Sequence, residues 1–356
     1  MELEYHPDFA RAQERMIAWW NQAVIDRACI QVTAPKDEPR EIPVPSSIRE
    51  QWLDMDYVLA KTDERLRCTY FGGEAFPMYM PNLGPDAFAA YLGAELEFHE
   101  TTTWAIPCID DLTDLPPLEL DFSSHWWQKM ESMCRQALEF AHGRFIVSLP
   151  DGHGGADCLA ALRGQQELCY DFVDHPEAVA AAMEKLDQAT IDYYERLFPI
   201  YHQLQPGGTG FVSAWGPGRT ATSQCDFLAL VSPEMSEAFI MDGIRMETEY
   251  LDHSVFHLDG PDALPHLDLL LDIPGIEAIQ WVPGSGNPPT SAWLPYLKRV
   301  QDAGKSLWLI ASGPDEVETL VEQLRPEGLM IRVGVDSIET ADALVRRVNT
   351  LTTTRA

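Results

Sequence analysis

The apolar positions of residues 7–24, PDFARAQERMIAWWNQAV, recur every three or four residues and predict an amphipathic helix. ACIQVTAP behind it is a continuous apolar run closed by proline and predicts a first strand. From about 34 to 125 the pattern is irregular and rich in proline, with FGGEAFPMYMPNLGP leading into a short helix, DAFAAYLGAE. It reads as an N-terminal elaboration laid over a core. From Trp126 the rhythm changes, and helix-like stretches alternate with short apolar runs that end in Gly, Pro, Asp or Trp.

The helix WWQKMESMCRQALEFAH precedes a strand RFIVSLP, and the loop DGHGGAD leads into helices over roughly 157–169 and 176–204. GTGFVSAW reads as the next strand, followed by a loop carrying Cys225 and a helix whose Ser232-Pro233-Glu234 supplies an N-cap and first turn. SVFHLDG, IEAIQWVPG, SLWLIAS and LMIRVGV then follow as strands at intervals of roughly 20–30 residues. Such repeated alternation predicts a parallel sheet covered on both faces, and the length favours closure into a (β/α)8 TIM-type barrel. One domain is expected over 1–356, with residues 1–125 as the elaboration and 126–356 as the main βα repeats.

In a barrel the C-terminal strand ends share one mouth, where the chemistry sits. Asp151, His153, Trp215, His257, Asp259, Trp281 and Asp336 are all expected there. His257 and Asp259 are two apart in a strand, so they share a face, and Gly260-Pro261 ends the strand beside them. Their plain structural reading is a hydrogen-bonded pair that orders the following turn. PDGHGGADC, with Asp151, His153 and Asp157, is a glycine-rich loop that either approaches a ligand or makes a simple capped turn.

Cys225 and Arg219 lie in one loop, and Glu74 is a lone carboxylate among Gly and Pro. Cys225 could serve as a metal ligand or stay a buried spectator. Arg219 either holds a substrate oxygen or carboxylate or merely solvates the loop. Trp215 and Trp281 offer aromatic walls for a sugar, a methoxylated aromatic or a quaternary ammonium compound, although core packing is the ordinary fate of tryptophan.

Charge removes several partners. Asp and Glu total 56 against 25 Lys and Arg, a formal net charge of −31, which repels nucleic acid and anionic membrane and disfavours a polyanionic substrate unless basic residues gather locally. Seven cysteines without a CxxC pair argue for a reducing compartment, and the expected location is the cytoplasm. No apolar run approaches the ~18 residues of a membrane span, and no nucleotide-binding motif is present.

Two segments carry a family resemblance. DCLAALRGQQELCYDFVDHPEAVAAAMEKL and SQCDFLALVSPEMSEAFIMDGIRMETEYLDHSVFHLDG resemble, in order and spacing, the uroporphyrinogen decarboxylase superfamily over roughly residues 140–340. That resemblance implies a distorted (β/α)8 barrel. The tetrapyrrole decarboxylases of the superfamily hold their substrate with an N-terminal arginine-rich segment, and nothing comparable stands in residues 30–80. The corrinoid-linked methyltransferases are more similar, because a strand-end H-x-C binds zinc there, and here the position reads His257-Leu258-Asp259.

The resemblance therefore implies zinc held by His257, Asp259 and a further ligand such as Cys225, a methylated small-molecule substrate, a separate corrinoid protein as partner, and a homodimer. Asp259, His257 and Asp151 are the expected catalytic groups, with Trp215, Trp281, His153, Arg219 and Glu74 on the substrate. A second reading is an acid–base hydrolase or lyase on a carbohydrate-like substrate, with Asp151 and Asp259 as acid and base. A third is a binding protein without turnover.

Overall fold

The computed structural model describes residues 2–354, and among these the chain forms eleven strands. They are β1 (Cys29–Pro35), β2 (Thr69–Gly73), β3 (Met78–Tyr79), β4 (Glu95–Phe98), β5 (Thr103–Ile106), β6 (Ile146–Val147), β7 (Thr220–Gln224), β8 (His253–Asp259), β9 (Ala278–Val282), β10 (Ser306–Ile310) and β11 (Leu329–Gly334). Seven make one sheet in the order β2-β1-β11-β10-β9-β8-β7, parallel throughout except for β2. β3 and β6 form a parallel pair, and β4 and β5 an antiparallel hairpin. The protein is thus a mixed α/β chain built on a large parallel sheet. Among the described residues no helix is long and apolar enough to cross a membrane.

The two faces of the sheet have different fates because alternate residues point opposite ways. Ile30, Val32, Ile279, Trp281, Leu307, Leu309, Ile331 and Val333 pack into the main core beneath the helices. The other, inner face carries Cys29, Met330, Trp308, Ala278 and Val255. These meet Phe9, Met16, Trp19 and Trp20 of the helix Phe9–Trp20, together with Phe76, Ile146, Ala214 and Trp215. Trp19 donates from Nε1 to Leu307 O at 3.2 Å, and Trp20 donates to Trp215 O at 3.0 Å and stacks on His253. The amphipathic N-terminal helix therefore closes the end of the sheet where the strands begin.

Two departures from the pattern reading have clear causes. GTGFVSAW is not a strand: Gly208 and Gly216 bridge each other, and the segment between them turns back on itself. The strand is instead the polar TATSQ, β7, whose threonines suit a pleated surface. The looped segment links the sheets, since Leu149 N–H donates to Thr209 O at 3.0 Å and Val212 N–H to Thr222 Oγ1 at 3.2 Å. The irregular section from about 34 to 125 also does more than overlay a core, because it supplies β2 to the main sheet and β3 to the pair with β6.

Candidate functional site

Parallel register places Gln224 beside His257, His257 beside Gln280, Gln280 beside Trp308, Trp308 beside Met330, and Met330 beside Cys29. This is one row across six strands on the inner face, apolar at the β1 side and polar at the β7 side. His257 Nδ1 lies 2.6 Å from Gln280 Oε1, an acceptor, so Nδ1 donates there and Nε2 is the nitrogen left for a ligand. Two residues further along β8, Asp259 points the same way. Asp226 enters from the turn after β7, and one ligand atom each from Asp226, His257 and Asp259 lies within 4.8 Å of the others.

Asp226 is held by its backbone. The Asp157 carboxylate, on the helix Gly155–Arg163, accepts the N–H groups of Asp226 at 2.9 Å and Phe227 at 2.8 Å. Burial, more than any neighbour, raises the Asp157 pKa. His153 completes the surroundings, with Nε2 against Asp151 and Nδ1 accepting from Gln224 Nε2. Burial alone would lower the His153 pKa, but Asp151, Asp157 and Asp226 outweigh it and raise it. The Phe211 ring meets both histidines edge-on, with centroids 5.9 Å from His153 and 5.4 Å from His257. A cleft of about 410 Å³ beside them is lined by Asp86, Trp104, His153, Asp157, Gln224 and Asp226.

The expected set is only partly gathered here. His257, Asp259, Asp151 and His153 come together. Cys225 does not join them: neighbouring residues of an extended chain face opposite ways, so the thiol turns into the core, where burial holds its pKa well above the usual range, while Asp226 reaches the ligand position. Trp281 sits one residue from Gln280 and therefore on the helix-covered face, against Trp293. Trp215 belongs to the plug at the opposite end of the sheet, beside Trp20 and Phe9.

Arg219 precedes β7 and pairs with Asp252, before β8, at 3.0 Å, which also places it where strands start. Glu74 is wholly buried and bound to Arg27 and Arg15. Asp336 lies exposed beyond β11. Sequence reading missed Asp226, Gln224, Gln280, Asp86 and Phe211; the usable signal was glutamine inside the apolar run AIQWV.

The glycine-rich loop owes its composition to packing. A side chain at Gly152 would collide with the Tyr193 ring and one at Gly154 with the Thr190 hydroxyl, both on the helix Pro176–Leu204. Behind the loop a cavity of about 30 Å³ is bordered by Asp187 and Glu247. Burial first, and then Glu247 and Asp242, push the Asp187 pKa from 3.8 to about 7. Burial also lifts Glu247 to about 7 although Tyr194 donates to it at 2.7 Å.

A carboxyl whose folded pKa is raised stabilises the fold while protonated, and that stability is lost as pH climbs from the unfolded value through the folded one. Melting temperature should therefore fall between about pH 4 and about pH 7, and Asp187→Asn should remove on the order of 1 kcal/mol of that fall after allowance for solvent screening. Thermal melts of both proteins across this range check it, and parallel pH profiles would refute it.

No protein-family model matches this sequence, and no curated protein matches it either.

Proposed function

We propose that the protein is an enzyme of the uroporphyrinogen decarboxylase-like barrel class that moves a methyl group between a small molecule and a separate corrinoid protein. The carrying observation is the Asp226–His257–Asp259 group, with its ligand atoms within 4.8 Å of one another and Gln280 occupying Nδ1 of the histidine so that Nε2 is left for a ligand. One nitrogen and two carboxylate oxygens suit a divalent ion such as zinc, and form a harder set than the thiolate sites of the family that the sequence resembles. A bound divalent ion would act as a Lewis acid on the heteroatom that loses or gains the methyl group.

The chain's own residues do the positioning. Gln280 fixes the His257 tautomer, Asp157 fixes Asp226, and the His153–Asp151 pair fixes Gln224. Phe211 covers the two histidines and helps exclude water. Closure of β1, β3, β6 and β7 to β11 as a distorted (β/α)8 barrel belongs to the same reading. It is supported by Ile146, the β6 residue paired with Met78 of β3, sharing one inner cluster with Cys29, Val255 and Met330. Seven free cysteines favour a reducing compartment, the cytoplasm. Acid–base hydrolysis by Asp151 and Asp259 ranks second because Asp151 is already engaged by His153.

Elemental analysis of the tag-free protein should find close to one divalent metal per chain. With methoxylated aromatic or quaternary ammonium compounds, the absorbance of added cob(I)alamin should shift to that of methylcobalamin. In that step the methyl–heteroatom bond breaks with its electron pair left on the heteroatom, and cobalt(I) supplies the pair for the new carbon–cobalt bond. A folded protein that takes up no metal and leaves the corrinoid spectrum unchanged would sink this reading.

A further inference from the structure

Arg332 stands in the apolar strand LMIRVG of β11, registered between Gln31 of β1 and Ile310 of β10. It is two residues beyond Met330 and therefore on the inner face, in the pleat level of Asp259 rather than of the apolar plug. Ile310, paired on a strand flanked by two others, is nevertheless 42% exposed, so the inner face is open to solvent at this level. Arg65, from the last turn of the helix Met55–Arg67, reaches the same region and donates to Met78 O at 3.2 Å.

Both arginines are exposed to solvent, although protein atoms surround them closely enough to lower their pKa values by burial. Burial first, and Arg332 second, lowers the Arg65 pKa, so the two cations lie near one another. Neither has an ion-pair partner among the described residues, whereas Arg15, Arg27, Arg67, Arg163, Arg219 and Arg245 each have one. In a chain with 56 acidic and 25 basic residues, two neighbouring guanidiniums without a carboxylate are a local reversal of the field. Gln31 offers them no partner either, because Ser213 takes up its side chain.

We propose that Arg332 and Arg65 bind a carboxylate of the substrate, a small organic acid whose other end lies at Asp226, His257 and Asp259. The planar guanidinium fork matches a carboxylate and can hold it through two parallel N–H bonds. From β8 to β11 is three strand spacings, ~14 Å along the sheet, so two facing side chains leave room for a body of only a few heavy atoms. Ile310 supplies its apolar wall. The many acidic residues around the metal-ligand group oppose a polyanion, and one carboxylate is the charge that two arginines can hold there. This inference rests on the inner face being the substrate site, and on neither the metal nor the methyl group.

The test uses para-fluorobenzoate and its neutral isostere para-fluorobenzamide, followed by fluorine NMR with chelator-treated, full-length protein. The acid should bind with a Kd on the order of 1 mM and at least roughly 10-fold more tightly than the amide. Arg332→Gln and Arg65→Gln should each abolish that preference, Arg332→Lys should keep part of it, and Arg346→Gln, on another surface, should leave it intact. Thermal melts establish that each variant is folded.

Equal binding of acid and amide, no binding of the acid, or a preference that survives Arg332→Gln each overturns the proposal. So does acid binding that appears only with added zinc and disappears in His257→Ala, because the metal would then hold the anion. Acid preference in a protein that never takes up metal would leave this inference standing while the methyl-transfer reading fell.

Discussion

Glu74→Ala should cost the fold about 3–5 kcal/mol, as removal of one member of a buried ion pair does, and lower the melting temperature by roughly 5 °C. The Glu74 carboxylate is 0% exposed and meets Arg27 through two bonds, at 2.6 and 2.8 Å. It also accepts the Ile30 N–H at 2.8 Å, just inside β1, and Arg15 at 3.3 Å. Removing it strands the Arg27 guanidinium, itself only 5% exposed, and orphans a backbone donor in the sheet. Urea and thermal unfolding of the variant measure the loss. A double replacement with Arg27→Met should be less destabilised than the sum of the single changes, because no uncompensated charge remains. A loss below about 1 kcal/mol would show that Glu74 is not an anchor of the β1 edge.

Glu74 also shows where sequence reading stops. Its Gly and Pro neighbours suggested an ordered loop, but its partner Arg27 lies 47 residues away, and no local pattern connects them. Arg219 misled in the same way: a short loop next to Cys225 looked like a mouth, yet the strand begins after Arg219, so the arginine falls at the far end. What was legible obeyed local periodicity. The period of two put His257 and Asp259 on one face, and the apolar runs of β8 to β11 and the helical spacing of residues 9–20 were strong enough to place those elements.

The same period of two could have separated Gln280 from Trp281, and Asp226 from Cys225, had the start of the strand been known. It was not, because β7 is polar and the apolar GTGFVSAW competed for the role. A sheet with an open, polar inner face violates the rule that buried parallel strands are continuously hydrophobic. Arg332 within LMIRVG and Gln280 within AIQWV are such violations, and these departures mark the inner surface more sharply than any tryptophan did.

The metal reading makes its largest demand on His257. His257→Ala should weaken zinc binding by roughly a hundredfold or more, since it removes the only nitrogen donor of the group. Gln280→Leu should weaken it by roughly 10–100-fold without removing any ligand. Gln280 is 5% exposed and accepts from His257 Nδ1 at 2.6 Å, so a leucine fills its volume but leaves the imidazole free to rotate or change tautomer. Cys225→Ala should leave zinc affinity unchanged, because the thiol faces the core.

Chelator competition gives the three affinities, and the shift of the thermal midpoint with added zinc checks them independently. The ordering separates the alternatives. If Cys225→Ala alone released the metal, the strand after Gln224 would have to turn so that the thiol, and not Asp226, faced His257. If Gln280→Leu matched the parent, the imidazole would be oriented by packing against Phe211 and not by its hydrogen bond, and Phe211→Ala would then carry the loss.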